Sequence, residues 1–134
     1  MNTSDISCPM TLHNVLIALG SNTGNRQGNL SEALVKCKDF IQTNRLSPVI
    51  ETKPIGHTNN PYLNQLFSGT TSLTLEKLLD NTKRIENEMG RDRSNRENVV
   101  IDIDIMLYDQ QKLHITDWER DYLKQLLTQL KTEL

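Results

Sequence analysis

Short apolar runs alternate with helically spaced apolar stripes along this chain, and each predicts an element. Residues 14–19 (Asn-Val-Leu-Ile-Ala-Leu) predict a buried strand ended by Gly20. The cluster Gly20-Ser21-Asn22-Thr23-Gly24-Asn25 predicts a turn. Leu30, Ala33, Leu34, Cys37, Phe40 and Ile41 follow helical spacing and predict a helix from about Arg26 to Gln42. Residues 48–52 predict a second strand, placed near an edge by Pro48. Pro54, Gly56 and Pro61 make residues 53–61 a loop, and residues 62–72 predict a third strand. Thr74 is a good N-cap for a helix with Leu75, Leu78, Leu79, Ile85 and Met89 on its apolar stripe, stopped by Gly90. A charged loop over 91–98 leads into a fourth strand over 99–108. Thr116-Asp117-Trp118-Glu119 reads as a capping box opening a C-terminal helix, with Trp118, Tyr122, Leu126 and Leu130 on one stripe.

The order β-α-β-β-α-β plus a terminal helix predicts an α+β sandwich, a mainly antiparallel sheet covered by helices, with the fourth strand central. Residues 1–12 read as a loosely ordered leader and 13–134 as a single domain. The leader lacks the basic and apolar regions of a signal peptide, and no apolar run reaches transmembrane length, so a cytoplasmic protein is expected. Cys8 and Cys37 are too few for a disulfide framework, and Cys37 falls on the apolar face of the first helix. An RNA-recognition domain has the same element order. A net charge of −2 and an aromatic content of 4% argue against it, because such domains need a basic face and stacking aromatics.

The chemistry concentrates in the fourth strand. Asp102 and Asp104 interrupt the run Ile101-Asp102-Ile103-Asp104-Ile105 at a spacing of two, so both carboxylates emerge on one face. Aspartate is depleted in strands, and two together repel and resist desolvation unless a cation joins them. Oxygen ligands on a rigid strand suit Mg²⁺. The plainer alternative is a half-exposed strand with a polar face. Arg91, Arg93 and Arg96 precede the strand, and guanidinium groups fork onto phosphate oxygens. Such arginines beside a carboxylate pair are the parts for phosphoryl transfer, although Asp92 and Glu97 also allow a solvated charged turn. The Gly20–Gly24 turn lacks the Lys-Ser or Lys-Thr of a P-loop, and a structural turn explains it equally well. Tyr62 and Asn64 offer an aromatic face and an amide, or simply begin a strand. His13, His57 and His114 show no ligand spacing.

Four ordered segments resemble the 6-hydroxymethyl-7,8-dihydropterin pyrophosphokinase family of folate biosynthesis. They are Ala18-Leu19-Gly20-Ser21-Asn22-Thr23-Gly24-Asn25-Arg26, Thr52-Lys53-Pro54-Ile55-Gly56, Tyr62-Leu63-Asn64, and Gly90-Arg91-Asp92-Arg93 leading to the aspartate strand. The resemblance implies a ferredoxin-like fold and Mg²⁺-dependent transfer of pyrophosphate from ATP to the pterin hydroxymethyl group, releasing AMP. It implies two Mg²⁺ ions on Asp102 and Asp104, with Arg91 and Arg93 serving catalysis near the nucleotide phosphates. It places Glu86, Arg91, Arg93 and Ile105 at the nucleotide, and Thr52, Ile55, Tyr62 and Asn64 at the pterin. The partners so implied are small molecules, with neither nucleic acid nor membrane. The chain departs from the family pattern in two places. Val99 stands where the family has an arginine three residues before the first aspartate, and the loop is short, leaving open whether Arg96 substitutes. The family's later Pro-His pair, arginine and phenylalanine are absent; Trp118, Arg120 and Tyr122 lie in that stretch. A catalytically impaired relative that binds pterin or nucleotide is the alternative reading.

Overall fold

Four long strands carry the architecture, and the run Val15-Leu16-Ile17 shows why. The structure, a computed structural model, describes residues 11–54, 56 and 58–132. All three of those side chains are buried, because both faces of strand β1 (His13–Ser21) are covered. Leu16 packs under the C-terminal segment, and Val15, Ile17 and Leu19 pack under two helices. Helix α1 (Arg26–Cys37) is capped by Asn25, which accepts from Gly28 N at 3.0 Å, and it buries Leu30, Ala33 and Cys37. Strands β2 (Gln42–Leu46), β3 (Ile50–Thr52) and β4 (Tyr62–Thr71) follow. Helix α2 (Leu75–Glu88), capped by Thr74, then leads to β5 (Asp102–Tyr108) and the short β6 (Gln111–Lys112). The chain ends with a 3-10 turn (Ile115–Glu119), α3 (Asp121–Thr128) and β7 (Lys131–Thr132).

The sheet order is β6-β5-β1-β4-β2-β7, every neighbouring pair is antiparallel, and β3 joins the other end of β4. The units β1-α1-β2 and β4-α2-β5 each straddle one strand of the other, the ferredoxin-like arrangement of an α+β sandwich. One core lies between the sheet and α1/α2. A second, with Leu16, Leu66, Met106, Leu123 and Leu126, lies between the sheet and α3. The added C-terminal helix therefore packs on this chain's own sheet.

Several boundaries differ from the expectation. Helix α1 stops at Cys37 rather than Gln42: Ile41 turns into the core, and Thr71 Oγ1 donates to Phe40 O at 2.7 Å, steering the chain into β2. Strand β2 is Gln-Thr-Asn-Arg-Leu, with no apolar face to announce it; pairing with β4 makes it a strand. The strand expected over 48–52 shortens to β3, and the fourth strand begins at Asp102 rather than Val99. That strand is not central. It is an outer member of the four-strand core, and β6 covers only its Leu107–Tyr108 end. The capping box over 116–119 does not form either. His114 enters the 3-10 turn at φ 52 with no side-chain cap, and extended Arg120 starts α3. Trp118 is instead fixed outside the helix, its Nε1 donating to Leu113 O at 2.9 Å with Lys112 Nζ 4.6 Å above its ring. The leader over 1–12 lies outside the described residues except for exposed Thr11 and Leu12, and Cys8 lies outside them too.

Candidate active site

Adjacent strands bring the aspartates and Asn64 into one row through the sheet register. Gly20 of β1 pairs with Asn64 on one side and Asp102 on the other. Two residues away, Ala18 pairs with Leu66 and Asp104. Strand β1 thus contributes its smallest side chains where the flanking strands contribute their functional ones, and a hollow opens above them. A Cβ on Gly20 would stand 3.3 Å from Asn64 Oδ1 and 3.4 Å from the Tyr62 ring, so glycine keeps this floor low. The hollow is a cavity of about 230 Å³. Thr52, Tyr62 and Asn64 line one side, Asp102 and Asp104 the other, and Asp117, Arg120 and Tyr122 close it from the C-terminal segment.

Asn64 Nδ2 donates to Thr52 Oγ1 at 2.7 Å, which fixes the amide plane between β3 and β4. Burial, reinforced by the charge of Asp102, pushes the Tyr62 phenol up to about 12, so it stays neutral. Burial and the carboxylates of Asp102, Glu86 and Asp117 push Asp104 up to about 7, against the opposing pull of Arg91. His114 Nε2 lies 3.9 Å from Asp104 Oδ1. The site therefore disfavours the charged form of Asp104.

A second cavity, of about 210 Å³, adjoins the first and shares Tyr62 and Asp102 with it. Arg91, Arg93, Asn95, Arg96 and Val99 complete its lining. Arg91 Nη1 bonds Asp102 Oδ1 at 2.5 Å and Ile101 O at 3.2 Å, and its Nε has no partner among the described residues. Glu86, 5% exposed, uses both oxygens: Oε1 accepts from Arg93 Nη2 at 2.6 Å and Oε2 from Ile103 N at 2.7 Å. It ties α2 to β5 and holds Arg93 at the rim.

The profile of a protein family described as 7,8-dihydro-6-hydroxymethylpterin-pyrophosphokinase (HPPK) matches residues 16–132. This chain belongs to the HPPK family. Among its relatives, a folate synthesis bifunctional protein of Arabidopsis thaliana is 39% identical over 92% of this chain and 28% of its own length. The 2-amino-4-hydroxy-6-hydroxymethyldihydropteridine pyrophosphokinase of Aquifex aeolicus is 38% identical over 70% of this chain and 60% of its own. The Porphyromonas gingivalis protein of the same name is 32% identical over 85% of this chain and 88% of its own. The chain thus spans about a quarter of the plant proteins and most of the Porphyromonas one.

Within this HPPK-family chain, the structure gathers most of the residues singled out in the sequence. Thr52, Tyr62, Asn64, Asp102 and Asp104 meet in the first cavity, and Arg91, Arg93 and Arg96 in the second. Ile55 lies outside the described residues. The Ile105 side chain is buried in the helix-side core and lines neither cavity. Gly20 and Ser21 are strand, not turn; the turn follows them, with Gly24 at φ 71. Val99 is buried, with Asn22 bonded to its backbone on both sides. Of the C-terminal residues left open, Arg120 and Tyr122 reach the first cavity and Trp118 does not. Asp117 was not foreseen there: its place in an apparent capping motif concealed it, and only the 3-10 turn aims it inward. Among the described residues no helix is long and apolar enough to cross a membrane.

Proposed function

We propose that this chain transfers a pyrophosphoryl group from ATP to the hydroxymethyl group of 6-hydroxymethyl-7,8-dihydropterin, releasing AMP, as a cytosolic enzyme of folate synthesis. One observation carries the reading: the two cavities share Tyr62 and Asp102, so a heterocycle in the first and a triphosphate in the second would meet at the aspartates. Asn64, oriented by Thr52, is suited to read the polar edge of a pterin, and Tyr62 presents its ring. Arg120 and Tyr122 would complete that pocket. Arg91 and Arg93 would bind the triphosphate, the unpaired Nε of Arg91 leaving capacity for a phosphate oxygen. Glu86 would act on the nucleotide by holding Arg93. The contribution of Ile105 would be backbone on the outer edge of β5, the edge on which Ile103 N meets Glu86.

Asp102 and Asp104 fit Mg²⁺ by their chemistry. They are two hard oxygen donors facing one cavity, and burial beside other carboxylates disfavours the charged form of Asp104. An Mg²⁺ ion held by two carboxylates would keep waters and take phosphate oxygens. Two Mg²⁺ ions held here would neutralise the triphosphate and lower the pKa of the attacking hydroxyl. In the transfer itself, the hydroxymethyl oxygen attacks the β-phosphorus. The bond from that phosphorus to the α,β-bridging oxygen breaks, AMP leaves with that oxygen, and the hydroxyl proton passes to solvent. The protein aligns the acceptor through Asn64 and Tyr62 and stabilises the developing charge through Arg91 and Arg93.

A second reading, a binding protein without turnover, draws on Val99 in place of an arginine and on Arg91 being paired to Asp102. AMP release by the wild-type chain separates the two, and Asp102→Asn and Asp104→Asn then test the aspartates. The enzyme reading predicts at least ~10²-fold loss of turnover in both with pterin binding retained by calorimetry. Turnover unchanged in both variants would remove the aspartates from the mechanism.

A further inference from the structure

The second face of the sheet is longer than the helix that covers it. Strands β1 and β4 have 9 and 10 residues, which makes about 30 Å of sheet. Helix α3 has 8 residues and spans about 12 Å. It covers the middle of that face, over Leu16, Leu66 and Met106, and leaves both ends open. One end is the first cavity. The other is a groove of about 470 Å³ that shares no lining residue with either cavity above.

The register builds the floor of this groove as one row across five strands. Lys112 of β6 pairs with Leu107 of β5, and Leu107 pairs with Leu16 of β1. Leu16 pairs in turn with Ser68 of β4, and Ser68 with Arg45 of β2. All five line the groove, and Trp118, Leu127 and Leu130 wall it from the C-terminal segment. The row is therefore apolar in its middle and cationic at both ends. Lys112 Nζ lies 4.6 Å above the Trp118 ring. Exposed Arg45 enters none of the ion pairs formed among the described residues. No aspartate or glutamate is among the described residues that line the groove. Beside Arg45, Ser68 Oγ donates to Asn44 Oδ1 at 2.8 Å, which uses that acceptor and leaves the Asn44 amide N–H groups as donors.

We infer that this groove is a second ligand site, for a small amphipathic carboxylate. The apolar body lies on Leu16 and Leu107 against Trp118, and the head sits at Arg45 and Asn44. The volume falls within the range of small-molecule sites, and an apolar lining with a few polar groups at one end is what such sites present. A guanidinium fork matches a carboxylate, and no lining carboxylate competes for it. Charge decides the occupant: a neutral head forgoes Arg45, and a cationic head meets repulsion from Arg45 and Lys112. The inference is independent of what the first two cavities hold.

Octanoate, 1-octanol and octylammonium share one apolar chain, differ in head charge, and test it on the full chain. Trp118 is the only tryptophan of the sequence, so its emission reports on the groove. Octanoate should change that emission saturably with a Kd on the order of 1 mM, the scale that ligand efficiency allows for so small a molecule. Octanol should bind several-fold more weakly, and octylammonium more weakly still. Arg45→Gln, at an exposed position, should weaken octanoate about fivefold, to the level of octanol, and leave octanol unchanged. Amide shifts caused by octanoate should centre on Arg45, Ser68 and Gly69. Equal binding of the three probes overturns the inference, as does octanoate binding unchanged in Arg45→Gln. Amide shifts centred on Gly20 and Asn64 also overturn it, because they put the anion in the first cavity. Trp118 emission unmoved by octanoate overturns it too, and sedimentation of that chain as a dimer would then give the groove to a second copy.

Discussion

Asp104→Asn should make the metal-free protein more stable while removing its activity. In the folded chain Asp104 sits in the first cavity with Asp102, Glu86 and Asp117 around it, Arg91 only partly offsetting them, and its carboxyl is pushed from 3.8 up to about 7. A raised folded pKa favours folding below the unfolded value. That contribution is lost as pH rises through the window from about 4 to 7, and above it the full penalty of the charge remains. A shift of this size corresponds to ~4 kcal/mol at most. The Asp104 side chain is 37% exposed through the cavity mouth, so solvent screening reduces it to about 1–2 kcal/mol. Asparagine has the same shape and no charge to repel. Melting in the presence of a chelator should therefore show Asp104→Asn above wild type by roughly 3–8 °C at pH 8, with the gap closing toward pH 4. Mg²⁺ should raise the wild-type Tm at pH 8, less at pH 6 where the proton competes, and leave the variant unchanged. An Asp104→Asn protein no more stable than wild type at pH 8, or a gap independent of pH, would refute this reasoning.

Three further predictions concern the walls and supports of the site. Tyr122→Ala removes an aromatic wall of the first cavity and, on the proposed assignment, should weaken pterin binding about tenfold, ~1.4 kcal/mol by calorimetry, with ATP binding unchanged. Glu86→Gln keeps an acceptor for Ile103 N and loses the charge that holds Arg93; it should raise the KM for ATP several-fold and cost about 1–2 kcal/mol in denaturant unfolding. Gly69→Ala places a Cβ against Gln42 O and Ile41 where β4 meets β2, and it should destabilise by about 1–3 kcal/mol with the KM for both substrates unchanged.

How much was legible in the sequence follows from what each signal rests on. The aspartate pair was legible because strand alternation is local: a spacing of two fixes the shared face whatever the rest of the chain does. Strand β1 and the stripe of α2 were legible for the same reason, each carrying its own burial pattern. Strand β2 was not, because Gln42–Leu46 becomes extended only through its partner β4, and Ile41 completes a helical stripe that tertiary packing then breaks. The capping box failed because Thr116 and Glu119 fit a local rule while the chain had to turn from β6 onto the sheet, which the His114 conformation and the Trp118 anchor accomplish. Asn22 bonds Thr58 and Glu97, positions 36 and 75 residues away, and no local pattern announces a contact of that range.

The most direct test of the account is AMP release from ATP by this chain with Mg²⁺, with and without 6-hydroxymethyl-7,8-dihydropterin. The account predicts AMP and pterin pyrophosphate formed in equal amounts, dependent on the pterin and abolished by chelation. Folded protein that binds both substrates yet forms no AMP would contradict it, and would leave the cavities as binding sites alone.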